Sequence, residues 1–228
     1  MSAVAQDPPE SGSAGKALAA EALRKAIRTG DMAPGQRLVE SELAAMFGVT
    51  RASVRAALLD LTAAGLVERI PNRGARVRSV SLAEAVQITE CRMMLEGLCA
   101  AKAAERATDE ERAYLADLGE RLRASVAAGD PLKYSVLNQE LHRHVQAVSG
   151  QDVATGLLER LNAQLVRHQF RLALQPGRPQ VSLGEHLAIA QAIVDRDPAR
   201  AEQAARHHLA SVIEALRAAG TDDGLPAR

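Results

Sequence analysis

The chain has 228 residues, 47% hydrophobic but only 2% aromatic, with no Trp. That is enough for one large domain or two small ones, with a core of Leu, Val, Ile and Ala that favours helix over sheet. A formal net charge of zero argues, for the chain as a whole, against an anionic partner, and no apolar run of membrane-spanning length is present.

The opening "MSAVAQDPPESGSAG" has no basic stretch followed by an apolar one, so it is not a secretory signal. It reads as a disordered tail over residues 1–15. The only cysteines are Cys91 and Cys99. On one helix they would stand roughly 12 Å apart, too far to bridge. A reduced, cytoplasmic setting follows.

From Lys16 the pattern is helical. Leu18, Ala22, Leu23, Ala26 and Ile27 recur at helical spacing, and Gly30 closes the segment. "DMAPGQRL" is a turn around Pro34-Gly35. "SELAAMFG" is a short helix with Ser41 as its expected cap and Gly48 as its stop. "RASVRAALLDLTAAG" is a third helix, capped by Thr50 and closed by Gly65. "LVERI" and "ARVRSV" alternate as two short strands around "PNRG". Helix, helix, turn, helix and ribbon in this order make a winged helix-turn-helix over residues 16–80.

The charge is unevenly placed. Residues 16–80 carry 11 Lys/Arg and 6 Asp/Glu, a net of +5, while residues 1–15 carry −2 and residues 81–228 carry −3. A basic module therefore precedes an acidic one, which points the first half at an anionic partner. In a helix-turn-helix the second helix of the pair enters the major groove of double-stranded DNA N-terminus first. Arg51, Ser53 and Arg55 occupy its first turns, and Arg51 and Arg55 share a face. Arginine forks onto guanine or binds phosphate. Val54, Leu58 and Leu61 lie on the opposite, inward face. The hairpin tip holds Asn72, Arg73 and Gly74, with Gly74 suited to positive φ. The bland alternative is a pair of surface arginines on an ordinary helix.

After Ser81 the pattern is helix throughout. Ser81, Thr108 and Ser182 each precede a Glu by three residues, the capping-box spacing. Asp130-Pro131 and Asp197-Pro198 pair a capping Asp with a Pro at the first helical position. Six helices are predicted, at 82–106, 109–127, 131–149, 152–174, 183–195 and 198–219, forming an antiparallel bundle over 81–220. Residues 221–228 read as a frayed end. The fold class is mainly α.

The run "IRTGDMAPGQRLVESELAAMFGVTRASVRAALLDLTAAGLVERIPNRGARV" resembles the GntR family of bacterial transcription regulators across the whole first module. The resemblance rests on P-G-x-x-L-x-E-x-x-L-A, G-V-T-R-x-x-V-R, the G-L-V strand and the R-G-A-x-V wing. It implies DNA contacts from Thr50, Arg51, Ser53 and Arg55, with Arg73 and Gly74 in the wing. The sequence departs from the family at Ala52 and Ser53, where Thr-Pro is common, and at Ala56, where Glu is common. Ser41 stands where several relatives carry a DNA-contacting basic residue. The second module resembles the FCD-type effector-binding domain of the FadR subgroup, in its six-helix, VanR-like form, with Arg92 and Glu96 at the R-x-x-x-E positions of its first helix.

All six histidines lie in the second module. Oxygen and imidazole donors from several helices can close on one divalent ion inside a bundle. The family pattern D-x-x-x-H, E-H and H-L falls on Asn138, His142, His186 and His208, with His208 preferred to His207. His144 and His168 stay as surface or core residues. Three imidazoles suit Zn²⁺ or Ni²⁺, and Asn138 supplies a neutral oxygen where many relatives have Asp. The alternatives are a polar interior that binds its effector without metal and a DNA-binding regulator whose pocket is vestigial. The resemblance implies a small carboxylate effector near Arg92, whose other reading is an ion pair with Glu96 one turn on. It also implies a homodimer on a palindromic operator, acting as a repressor. A metal-dependent enzyme is the competing class, and it needs a general base. Glu185, adjacent to His186 on one helix, is expected to face elsewhere, which leaves no base in view.

Overall fold

The computed structural model describes residues 10–71, 74–173 and 175–222, and its chain divides into two compact units, Met1–Val80 and Ser81–Arg228. Residues 1–9 and 223–228, expected as tail and frayed end, lie outside the described residues, as does Arg73.

The first unit runs α1 (Gly12–Thr29), β1 (Arg37–Leu38), α2 (Glu40–Phe47), α3 (Arg51–Ala63), β2 (Val67–Ile70) and β3 (Gly74–Val77). Residues 10–15 are not a tail. Glu10 donates its N–H to the Gly48 carbonyl at 3.0 Å and accepts from the Thr50 N–H at 3.0 Å. This tether brings α1 against the start of α3 at Gly15, where a Cβ would stand 2.5 Å from the Glu10 carbonyl oxygen. The buried stripe of α1 is Gly15, Ala19, Ala20, Leu23 and Ile27, so Leu18 turns outward and is 47% exposed. α1 packs on α3, whose Val54, Ala57 and Leu61 are all buried; burying a side chain such as Val or Leu stabilises by about 1.5–3 kcal/mol.

Ser41 does not cap α2. The helix starts two residues earlier than that cap would set it, at Glu40, with Val39 as an N-cap that makes no side-chain bond. Thr50 does cap α3, accepting from the Ser53 N–H. The sheet gains a strand that the sequence hid: β1 pairs with β3, giving an antiparallel order β1-β3-β2 with Arg37 opposite Arg76 and Val67 opposite Val77. Two residues are too few to show alternation. Gly74 adopts φ +84, as expected for the end of a tight ribbon.

Among the described residues the second unit is six helices: α4 (Leu82–Arg106), α5 (Asp109–Ala127), α6 (Pro131–Ser149), α7 (Asp152–Ala173), α8 (Arg178–Val194) and α9 (Pro198–Asp222). Their starts are set locally. Ser81 accepts from the Glu84 N–H, Thr108 forms a complete capping box with Glu111, and Asp130 and Asp197 accept from Lys133 and Arg200. Ser182 is no cap: α8 begins at Arg178 after Gly177, and Ser182 lies buried inside it. Pro179 fits the first turn because its missing N–H has no partner to lose there. The last helix likewise runs through residues 221–222, past the expected end. Leu115, Leu118, Leu122, Leu141 and Ile193 form the core with Ala100, Ala103, Ala201 and Ala205. The alanines let α4 and α9 lie close. Gly97 extends that approach, since a Cβ there would meet Arg206 Cγ at 3.1 Å. Among the described residues no helix is long and apolar enough to cross a membrane.

Candidate functional site

In the first unit, Arg51 and Arg55 are both exposed on α3. They border a hollow of about 210 Å³ lined also by Arg37, Arg69, Gly74 and Glu40. Arg55 is held by Glu40 of α2, with Nη2 donating to Oε2 at 2.7 Å. Ser53 is 3% exposed, and its hydroxyl lies 2.9 Å from Thr50 Oγ1. Three residues along a helix from Thr50, it turns back under the cap and away from the Arg51 and Arg55 face. Thr50 is partly buried and committed to that cap.

In the second unit, His142 of α6, His186 of α8 and His208 of α9 converge. The His186 Nε2 lies 3.2 Å from His142 Nε2 and 3.3 Å from His208 Nε2. His186 and His208 are 1% and 5% exposed. His207 is exposed, and His144 stacks on Tyr114 at a centroid distance of 4.6 Å, away from the cluster. His168 is likewise outside the cluster.

Each ring is also gripped at its other nitrogen. Glu96 Oε2 lies 3.2 Å from His142 Nδ1, the Tyr134 hydroxyl 3.0 Å from His186 Nδ1, and Glu185 Oε2 2.7 Å from His208 Nδ1. The carboxylates determine the tautomers. Burial pushes the Glu96 carboxyl up, but the Arg92 charge and the His142 bond outweigh it and hold it below the usual carboxylate range. Glu185 is also lowered: burial opposes, but the His208 and Ser211 bonds and the Arg178 charge prevail. An ionised carboxylate only accepts, so His142 and His208 donate from Nδ1 and turn their Nε2 atoms inward. Burial lowers the His186 pKa well below its ordinary value, and the His208 and His142 charges add to that. Burial also lowers His208, against its bond to Glu185. Both rings are therefore neutral at pH 7, the form that ligates. His186 can take either tautomer because a Tyr hydroxyl both donates and accepts.

This donor set fits a metal ion. Imidazole nitrogens sharing one ion at about 2.0–2.1 Å and a tetrahedral angle lie about 3.3 Å apart. The Oδ1 of Asn138, one turn before His142 on α6, is buried with no hydrogen-bond partner among the described residues. A carbonyl oxygen left without a donor in a protein interior costs about 1–3 kcal/mol, which an ion would offset.

Of the two readings of Arg92, the ion pair is formed. Its Nε and Nη2 donate to Glu96 Oε1 at 3.0 and 2.7 Å, and both side chains are enclosed, at 8% and 6% exposure. Arg92 thus reaches the cluster through Glu96. Glu185, expected to face away from the histidines, instead meets one of them. Its side chain is 8% exposed, and it also takes the Arg178 guanidinium, at 3.3 Å. Side chains of neighbouring helical residues diverge by about 100°, but α9 lies over α8, so Glu185 meets His208 across the helix pair. It stands behind a ring, on Nδ1, and so holds that ring rather than serving as a base beside the Nε2 atoms. Tyr134 carried no signal in the sequence; its partner is fifty-two positions away.

Residues 16–77 match bacterial regulatory proteins of the gntR family, and residues 87–211 match the FCD domain. Among curated relatives, the chain is 27% identical to the HTH-type transcriptional repressor RspR of Escherichia coli, over 82% of each chain. It is 30% identical to the Nta operon transcriptional regulator of Aminobacter aminovorans, over 83% of this chain and 90% of the relative. The fold is similar to that of E. coli McbR/YncC, with a TM-score of 0.72 and 22% identity over 92% of this chain and 98% of the other.

Proposed function

The chain belongs to the gntR family of bacterial regulatory proteins and carries an FCD domain, and from that premise we propose a repressor whose bundle couples a divalent ion and a small carboxylate to operator binding. It is a DNA-binding transcriptional regulator and not an enzyme, as its relatives are. The finer reading is of the FadR type, with a six-helix, VanR-like bundle. It places Arg51 and Arg55 on the DNA, with Arg73 and Gly74 in the wing and Thr50 ordering the helix start. Two such modules in a cytoplasmic homodimer would read a palindromic operator, because half-sites mirror protein symmetry.

The observation that carries the ion is the arrangement of the rings: three Nε2 atoms meet while all three Nδ1 atoms are engaged behind them. Partners of this kind orient ligating imidazoles and raise their basicity. His142, His186 and His208 would hold the ion, with Asn138 as the oxygen donor; Zn²⁺ or Ni²⁺ suits that set. The ion when bound supplies a Lewis-acidic point for a carboxylate oxygen. Arg92 keeps Glu96 charged beside it. The cavity against His142 is about 10 Å³, lined by Glu96, Cys99, Ile189 and Ala205 among others. That is room for one water, so a metabolite enters only by moving helices, and such movement is what couples effector to reader.

The test uses full-length protein purified without chelator. Metal analysis should find one ion per chain, and His142→Ala with His186→Ala should lose it while the bundle stays folded. Operator selected from random duplexes should bind with an affinity that changes on adding Zn²⁺ or Ni²⁺ with organic acids. Stoichiometric metal in the double variant would place the ligands elsewhere. Operator affinity indifferent to metal and to every acid would reject the coupling.

A further inference from the structure

We propose that Glu40 is a positioning residue for sequence reading: it locks the Arg55 guanidinium so that its end-on edge is presented to a base. The inference rests on Arg51 and Arg55 facing DNA. Glu40 binds the side-on edge of Arg55, accepting from Nε at 3.0 Å on Oε1 and 3.2 Å on Oε2, and from Nη2 at 2.7 Å on Oε2. The edge left over carries one N–H from each of Nη1 and Nη2. That parallel pair matches the O6 and N7 acceptors of guanine in the major groove. Glu40 itself is steadied: its side chain is 26% exposed against 59% for Arg55, and it opens the first turn of α2, where a carboxylate is favoured.

The surroundings separate this arginine from the others. The hollow also holds Arg37, Arg51 and Arg69, and among the described residues none of these three enters an ion pair. Phosphate attraction needs charge and tolerates a mobile side chain, whereas base reading needs direction. A carboxylate among four arginines weakens the pull on phosphates. What it contributes is orientation of the one guanidinium it grips. Glu40 lies outside α3, on the helix that crosses before it, so its effect on sequence preference is indirect.

The experiment selects preferred sites from duplex DNA with a randomised central segment, using the full-length protein and its variants. Arg55→Ala identifies the base pair that Arg55 reads, by flattening preference there. Glu40→Gln should lower discrimination at that same base pair by about three- to ten-fold, a part of the roughly 5- to 150-fold that one bidentate contact supplies. It should at the same time tighten binding to a scrambled duplex, because one negative charge is gone. Glu40→Asp keeps the charge but shortens the arm. It should lose discrimination without gaining scrambled-duplex affinity. Unchanged or sharper discrimination in Glu40→Gln overturns the inference, since Glu40 would then only screen charge. A uniform loss across all sequences with a lower melting temperature overturns it too, as a purely structural role. An Arg55→Ala profile identical to that of the unmodified protein at every base pair rejects the DNA-facing premise itself, and that result is distinct from a base pair flattened in Arg55→Ala with Glu40→Gln unmoved.

Discussion

Removing Glu96 should be among the most damaging single changes in the helical unit, and the reason is Arg92. The two side chains are 8% and 6% exposed and joined at 2.7 Å. Glu96→Gln keeps the shape and leaves an acceptor, but it strands a guanidinium inside the bundle. Breaking a buried pair in this way costs about 3–5 kcal/mol. For a unit of this size each kcal/mol lowers the melting temperature by about 2–4 °C, so the shift should be about 6–20 °C. Arg92→Met should cost a similar amount by stranding the carboxylate. The double variant Arg92→Met/Glu96→Leu removes both desolvation penalties and should recover most of the loss, because well-packed apolar replacements of buried pairs are often neutral. Melts are followed by circular dichroism with chelator present, so that ligand binding adds nothing to stability. Shifts under 2 °C for both single changes would show that Arg92 finds solvent or another anion when unpaired. A double variant no better than the worse single change would show that the pair itself, and not its burial, is what the bundle depends on.

Other changes bear on separate links. Glu185→Gln and Tyr134→Phe should each weaken Zn²⁺ binding by about 10- to 100-fold while keeping one site per chain, as loss of a group behind a ligating ring does; competition with a chromogenic chelator measures this, and unchanged affinity in both would refute the orienting role. Arg51→Ala should lower specific DNA affinity by about 1–3 kcal/mol if it reads a base, measured by anisotropy at fixed salt, and equal losses on operator and scrambled duplex would reassign it to phosphate. Gly15→Val should destabilise the first unit by about 1–3 kcal/mol, the usual range for overpacking, because its Cβ would lie 2.5 Å from the Glu10 carbonyl and 2.7 Å from Ser53 Oγ; a neutral urea midpoint would show that residues 10–15 peel away at no cost. Thr108→Ala should cost about 1 kcal/mol by opening the capping box, read from the thermal midpoint of the helical unit.

The elements were legible in the sequence because their signals are local. Thr108 and Glu111, or Asp130 and Pro131, name a helix start within four residues, and the structure starts α5 and α6 there. The misses are also local. Ser182 offered a capping pattern, but Pro179 and Gly177 offered another, and the chain used the earlier one. Ser53 shares the first turns of α3 with Arg51 and Arg55 but lies buried at another azimuth, since each residue turns the helix by about 100°. The three converging histidines follow from a family pattern rather than from spacing, and His208 rather than His207 joins them because, of the two adjacent residues, it is the one that faces inward.

What the sequence could not show is the layer behind the three rings. Glu96, Tyr134 and Glu185 each touch a ring on another helix, and sequence separation carries no record of a contact made across a bundle. That layer changes what the cluster can do. His142, His186 and His208 come from α6, α8 and α9, and Glu96 adds α4. Four helices are thus joined through three rings, so any displacement of one ring is felt at a carboxylate or hydroxyl on a different helix. The Arg92–Glu96 pair fixes the α4 end of this network and the Arg178–Glu185 pair the α8 end. An ion at the Nε2 atoms would draw the three rings to one point. An incoming carboxylate would need more than the 10 Å³ beside His142 and would have to push the same helices apart. Ion and effector would then act on one set of contacts, which makes their binding energetically coupled whatever the identity of either.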